Sequence, residues 1–239
     1  VESPTNTRAR IGIIAGSGPE AGLDLWDKLL KANRLILGTD FHGDLDAPNV
    51  TVFSEPSLGL AINLEANCHL LWQSLRPLAE QISARVDYYA IACNSLNYFQ
   101  PQLDSLGLNA KLISFADSAV ELIKREKIER VALLGTPSVM KLGVWSHYRI
   151  LNQHVEVEGL SSVQEQLLQH IIESVKITGT PSSEIVEKFG SLLKSIRCDA
   201  IILACTELPL IPFKSDEKKL IDVTQLVAVR LARLLHGLV

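Results

Sequence analysis

Two cysteines carry the chemistry that this sequence can be asked about. Asp87-Tyr88-Tyr89-Ala90-Ile91-Ala92-Cys93-Asn94-Ser95 and Asp199-Ala200-Ile201-Ile202-Leu203-Ala204-Cys205-Thr206-Glu207 are both Asp-led apolar runs that end in Ala-Cys. A short apolar run without polar alternation reads as a strand buried on both faces, and the small polar residues after it read as the start of a helix. Each thiol then sits at the carboxyl end of a strand, where open parallel sheets bind ligands. A free cysteine titrates near pH 8.5, so only roughly 3% is thiolate at pH 7. A helix N-terminus favours the anion by up to about 2 kcal/mol, and one pKa unit already raises the thiolate share to roughly a quarter. Position alone is therefore expected to make both thiols usefully basic. No partner for a lone nucleophile is evident, since His147, His154 and His170 lie outside both turns. Two thiols at equivalent places suggest something else: one removes a proton from carbon while the other returns one to the opposite face, which inverts a stereocentre without a cofactor. The alternative, two small buried hydrophobes, must explain why both stand at strand ends. Cys198 and Cys68 lack that context and read as structural.

The elements that must position the pair repeat as well. Ile11-Gly12-Ile13-Ile14-Ala15 followed by Gly16-Ser17-Gly18-Pro19-Glu20-Ala21-Gly22 reads as strand, Gly-rich turn and helix, and Arg130 to Ser138 echoes it as an apolar run, Gly, small polar residues and Pro. The glycine spacing is one residue longer than G-x-G-x-x-G and no Gly-Lys-Ser/Thr comes after it, so the turn either suits the approach of a small anion, rather than a nucleotide, or serves only to make the bend. Further strands are expected at Asn49–Phe53, Lys111–Ile113, Gln153–Glu158 and Leu220–Asp222. Helices are expected at Leu23–Leu37, Leu60–Arg85 with Pro77 as a kink or break, Ser114–Glu126, Ser161–Lys176, Ser182–Ile196 and Val223–Leu238. Val1 to Arg8 carries no pattern and reads as a loose terminus. Two related α/β halves explain the repeat, residues 1–113 plus 210–239 and residues 114–209, with the terminal strand and helix returned to the first half.

Composition narrows the classes. With 239 residues, 47% hydrophobic and 5% aromatic, the chain can bury a large core. Its 23 basic and 27 acidic residues are mixed along the chain, with formal charge −4, so it lacks the basic stripe that nucleic acid requires. No apolar run approaches the roughly 18 residues of a membrane span, and Ile11 to Ala15 is too short for a signal-peptide core. A cytoplasmic protein with free thiols, no metal and no membrane or nucleic-acid partner is expected.

At these residues the chain resembles the aspartate/glutamate racemase family, and most closely its aspartate racemase branch. The resemblance rests on Ile11 to Ala21, Ala92-Cys93-Asn94-Ser95, Leu133-Leu134-Gly135-Thr136 and Ala204-Cys205-Thr206-Glu207-Leu208, in the family's order. It implies two pseudo-symmetric α/β domains with mostly parallel sheets, an active site in the cleft between them, and a homodimer. It also implies racemisation of an acidic amino acid, aspartate or glutamate, without pyridoxal phosphate or another cofactor. Carried over residue by residue, Cys93 and Cys205 are the acid/base pair. Asn94, Ser95 and Thr206 hold the substrate's carboxylate and amino groups, and Ser17 and Thr136 line the cleft from the glycine turns.

The chain departs from the family at Ser95, where Thr is usual, and at Asn97, where His is usual. It has no Arg near Ser57 to Leu60, and Gln166 stands where a Lys is expected early in the helix after Ser161. Two lost cations would forfeit charge-assisted hydrogen bonds of roughly 1.5 to 3 kcal/mol each. These departures leave room for two other readings: a catalytically silent amino-acid or small-carboxylate binding protein, and a decarboxylase or isomerase of the same superfamily.

Overall fold

A computed structural model provides the structure of the protein, and residues 8–238 are described. The expectation for the terminus before Arg8 falls outside them. Chain order in the first half is β1 (Ile11–Ala15), α1 (Pro19–Leu37), β2 (Val50–Ser54), α2 (Leu64–Ser83), β3 (Tyr88–Ile91), α3 (Gln100–Ser105), β4 (Lys111–Leu112) and α4 (Phe115–Glu126). The second half continues with β5 (Arg130–Gly135), α5 (Pro137–Met140), β6 (Glu156–Glu158), α6 (Ser162–Thr178), α7 (Ser183–Ser195), β7 (Ala200–Ala204), β8 (Lys219–Asp222) and α8 (Val223–Leu235).

The strands form two four-stranded parallel sheets of the same order, β2-β1-β3-β4 and β6-β5-β7-β8. The glycine-turn strand and the cysteine strand are thus neighbours in each sheet, as the internal echo requires. Every residue of β1 and β7 is buried, because helices cover both faces of a parallel sheet. One core joins the halves: Ile11 and Ile13 of β1, Val131 of β5 and Ile202 of β7 pack with Phe115, Val227 and Leu231 of α4 and α8. The outer faces have their own cores, with α2 over the first sheet and α6 and α7 over the second.

Two expectations are corrected. The terminal strand does not return to the first half: β8 pairs with β7, Ile201 opposite Leu220, and takes in the second sheet the place that β4 has in the first. The helix after it packs on α1 and α4, and Lys28 of α1 reaches Asp222 at 2.7 Å, the residue whose side chain caps α8 through the Gln225 N–H. Nor is Leu60–Arg85 one helix. Pro56–Asn63 is a 3-10 segment, the Asn63 side chain caps α2, and Pro77 is accommodated inside α2.

Candidate active site

Each cysteine is set by the turn at the end of its strand. The Cys93 N–H closes a tight turn on the Ile91 carbonyl at 2.7 Å, and fully buried Asn97 fixes that turn. Its amide nitrogen donates to the Cys93 carbonyl at 2.9 Å and the Ile91 carbonyl at 3.3 Å, while its oxygen accepts from the Phe115 N–H at 3.2 Å. A residue that departs from the family pattern is therefore the brace of the cysteine turn. The chain after Cys93 enters a 3-10 segment, Ser95–Phe99, and the chain after Cys205 enters another, Leu208–Leu210. Neither thiol has the α-helix N-terminus expected of it.

The expected site residues Ser17, Cys93, Asn94, Ser95, Thr136, Cys205 and Thr206 all line one cavity between the two sheets. Its volume is ≈ 10 Å³, about what a single water needs. Hydrogen bonds from one half to the other draw it closed: Ser95 Oγ with Thr136 Oγ1 at 3.1 Å, Thr206 Oγ1 to the Ala92 carbonyl at 3.5 Å, and the Tyr148 hydroxyl to Asn94 Oδ1. Among the described residues that line it there is no histidine.

Two charged residues line the cavity to which the sequence alone assigns no role. Lys176, near the end of α6, donates to Glu207 and, at 3.4 Å, to the Ser17 carbonyl. The cation expected at Gln166 is here instead, since Gln166 is exposed on the first turns of α6. Glu207 is 2% exposed and its other carboxylate oxygen accepts from the Cys205 thiol at 2.8 Å. Cys93 has a different partner, donating to the Ser17 hydroxyl at 3.3 Å.

This explains the first glycine turn. Gly18 has φ +88°, and a Cβ there would lie 2.6 Å from the Glu207 carboxylate. A glycine at this position leaves room for the Glu207 carboxylate beside the turn.

The electrostatics reverse the expectation of basic thiols. Burial pushes the Cys93 thiol up, and the Lys176 ammonium and the Ser17 hydroxyl only partly oppose it. Burial, then the charge of Glu207, pushes the Cys205 thiol well up. Burial works against the Lys176 ammonium too, but Glu207 and the two cysteines outweigh it, so its pKa lies above the ordinary lysine value. Desolvation wins because both sulfurs belong to residues more than nine-tenths buried.

Solved structures share this fold. An aspartate racemase from Picrophilus torridus superposes with a TM-score of 0.79 at 20% identity, over 95% of this chain and 94% of that one. An aspartate racemase homologue from Pyrococcus horikoshii gives 0.71 at 22% identity over 95% and 99%. The glutamate racemase of Francisella tularensis in complex with D-glutamate gives 0.63 at 19% identity over 96% and 82%. No curated protein matches at the level of sequence. A family model, Asp/Glu/hydantoin racemase, matches residues 14–232, a span that takes in both glycine turns and both cysteine turns, and the chain belongs to that family.

Proposed function

We propose that the protein racemises an amino acid by two-base thiol chemistry, with Cys93 and Cys205 as the bases and no cofactor in the reaction. The observation that carries this is the shared cavity: two thiols from equivalent strand ends of the two halves line the same small space. In one direction Glu207 takes the Cys205 proton, the resulting thiolate removes the α-proton, and the Cys93 thiol delivers its proton to the opposite face of the α-carbon. In the other direction Cys93 is the thiolate, steadied by a hydrogen bond from the Ser17 hydroxyl; it removes the α-proton, the Cys205 thiol delivers its own proton to the opposite face, and Glu207 returns to Cys205 the proton it holds. The Lys176 ammonium, held protonated by Glu207, offsets the charge on whichever sulfur is thiolate. The Asn94 amide nitrogen, buried and without a hydrogen-bond partner among the described residues, is a donor for the substrate's carboxylate. Ser95, Thr136 and Thr206 supply hydroxyls around it.

The acidic substrates that the resemblance implies would need a cation for the second carboxylate, and Lys176, the one cation among the described residues lining the cavity, is already paired with Glu207. A binding protein without turnover is the second reading, and it draws on the thiols' being pushed up rather than down. The experiment that decides is α-proton exchange in heavy water together with polarimetry. Cys93→Ser and Cys205→Ser should each lower racemisation by at least about 100-fold with the fold retained. Full activity in either variant excludes the pair, and ligand-induced thermal stabilisation without exchange selects the binding protein.

A further inference from the structure

We infer that the amino acid this site turns over has an uncharged side chain larger than a methyl group, which leaves the thiol cavity past Ile62 and lies in the adjoining cleft. The inference rests on the racemase reading and adds the substrate class. Charge in the cavity is its first support. Among the described residues lining it, Lys176 is the one cation and Glu207 the one carboxylate, and they are paired with each other. A neutral ion pair complements a zwitterion, whose carboxylate and ammonium it can meet. It leaves nothing for a second carboxylate, and a buried charge without a partner is strongly disfavoured. On the side facing the 3-10 segment Pro56–Asn63 the cavity wall is Ala61 and Ile62, which offer no donor beyond the backbone.

Space is the second support. The cavity as it stands has room for one water and not for an amino acid, so a bound amino acid must extend beyond it. Ile62 also lines a neighbouring cleft of ≈ 540 Å³ between the halves, whose other walls include Leu64, Pro137, Val144 and Trp145. The two spaces meet again where the Thr136 hydroxyl, in the cavity wall, bonds the Ser138 hydroxyl, in the cleft wall, at 3.1 Å. The charged residues around the cleft are Glu65, Glu173 and Lys141, an acidic balance that also works against an anionic side chain. A lining that offers Ile62, Leu64, Pro137, Val144 and Trp145 with an acidic charge balance suits leucine, methionine or phenylalanine better than aspartate or glutamate.

The test measures α-proton exchange in heavy water by NMR for both enantiomers of alanine, leucine, methionine, phenylalanine, aspartate and glutamate, with the whole chain as enzyme. Expected is a kcat/KM for at least one of leucine, methionine and phenylalanine that exceeds those of alanine, aspartate and glutamate by about tenfold or more. Val144→Trp, at a position already 70% exposed, should then lower exchange of the long side chains more than exchange of alanine. Faster exchange of aspartate or glutamate, or of alanine, overturns the side-chain inference and leaves the two-thiol reading standing. Exchange with no member of the panel overturns both, and so distinguishes the two failures.

Discussion

The Tyr148 hydroxyl donates to Oδ1 of Asn94 across the boundary between the halves, and this one bond decides which end of the Asn94 amide faces the thiols. Tyr148 is fully buried, and burial, then the charge of Cys205, keeps its phenol well above the ordinary range and so protonated as a donor. With Oδ1 occupied, Nδ2 is the group left for a carboxylate. Tyr148→Phe should free the amide to turn. The expected result is a KM raised about tenfold, the worth of roughly one hydrogen bond, with kcat changed much less. Steady-state racemisation at saturating and limiting substrate measures the split.

Glu207 adds its charge to burial in raising the Cys205 thiol, so Glu207→Gln should move its titration to lower pH by removing that negative charge while Lys176 stays beside it. Alkylation of the Cys205 peptide as a function of pH, read by mass spectrometry, reports the midpoint. Lys176→Met removes the opposing charge and should shift both thiols the other way, with racemisation falling by about 100-fold or more.

His147 ties to the Ser114 hydroxyl at 2.6 Å, and burial pushes its imidazole down from 6.5 to about 4. A histidine with a depressed folded pKa binds its proton more readily when unfolded. Stability is therefore fully present above about pH 6.5 and is lost as the pH falls towards 4, by up to about 3 kcal/mol from this residue. Denaturant titrations at stepped pH should show that loss, and His147→Gln should flatten it while lowering stability at pH 7.

Gly16 has φ +113°, and a Cβ there would lie 2.2 Å from the backbone oxygen of Glu55. Backbone cannot yield as a flexible side chain does. Gly16→Ala should cost about 3 kcal/mol or more, visible as a large drop in melting temperature or loss of soluble protein. Gly59→Ala, with open space around its Cβ position, is the matched control.

The parts of the fold legible in the sequence are those written in short, local patterns. Apolar runs ending in Ala-Cys and runs ending in a Gly/Pro turn mark both pairs of adjacent strands, and with them all the small polar residues of the cavity. Lys176 is hidden because nothing local marks a lysine in the last turns of an amphipathic helix as pointing inward; its long stem carries the ammonium from α6 to Glu207. Glu207 stands in plain view beside Cys205, but its role depends on Gly18, far away in sequence, leaving room for it. Tyr148 lies in the short 3-10 segment His147–Gln153, too brief for its periodicity to separate inward from outward residues in the sequence. The thiol acidities escape for a different reason: local helix-end reasoning omits desolvation, which is a property of the closed site.

The two sulfurs are unlike in their partners, a neutral hydroxyl at Cys93 and a carboxylate at Cys205. A catalyst built this way treats left- and right-handed reactants unequally, with separate turnover numbers and Michaelis constants for each. Enantiomers have equal free energy in an achiral solvent, so those constants are bound together: the quotient kcat/KM must come out identical for both. Whatever the lopsided wiring gains in turnover for one hand it returns as weaker saturation by that same hand.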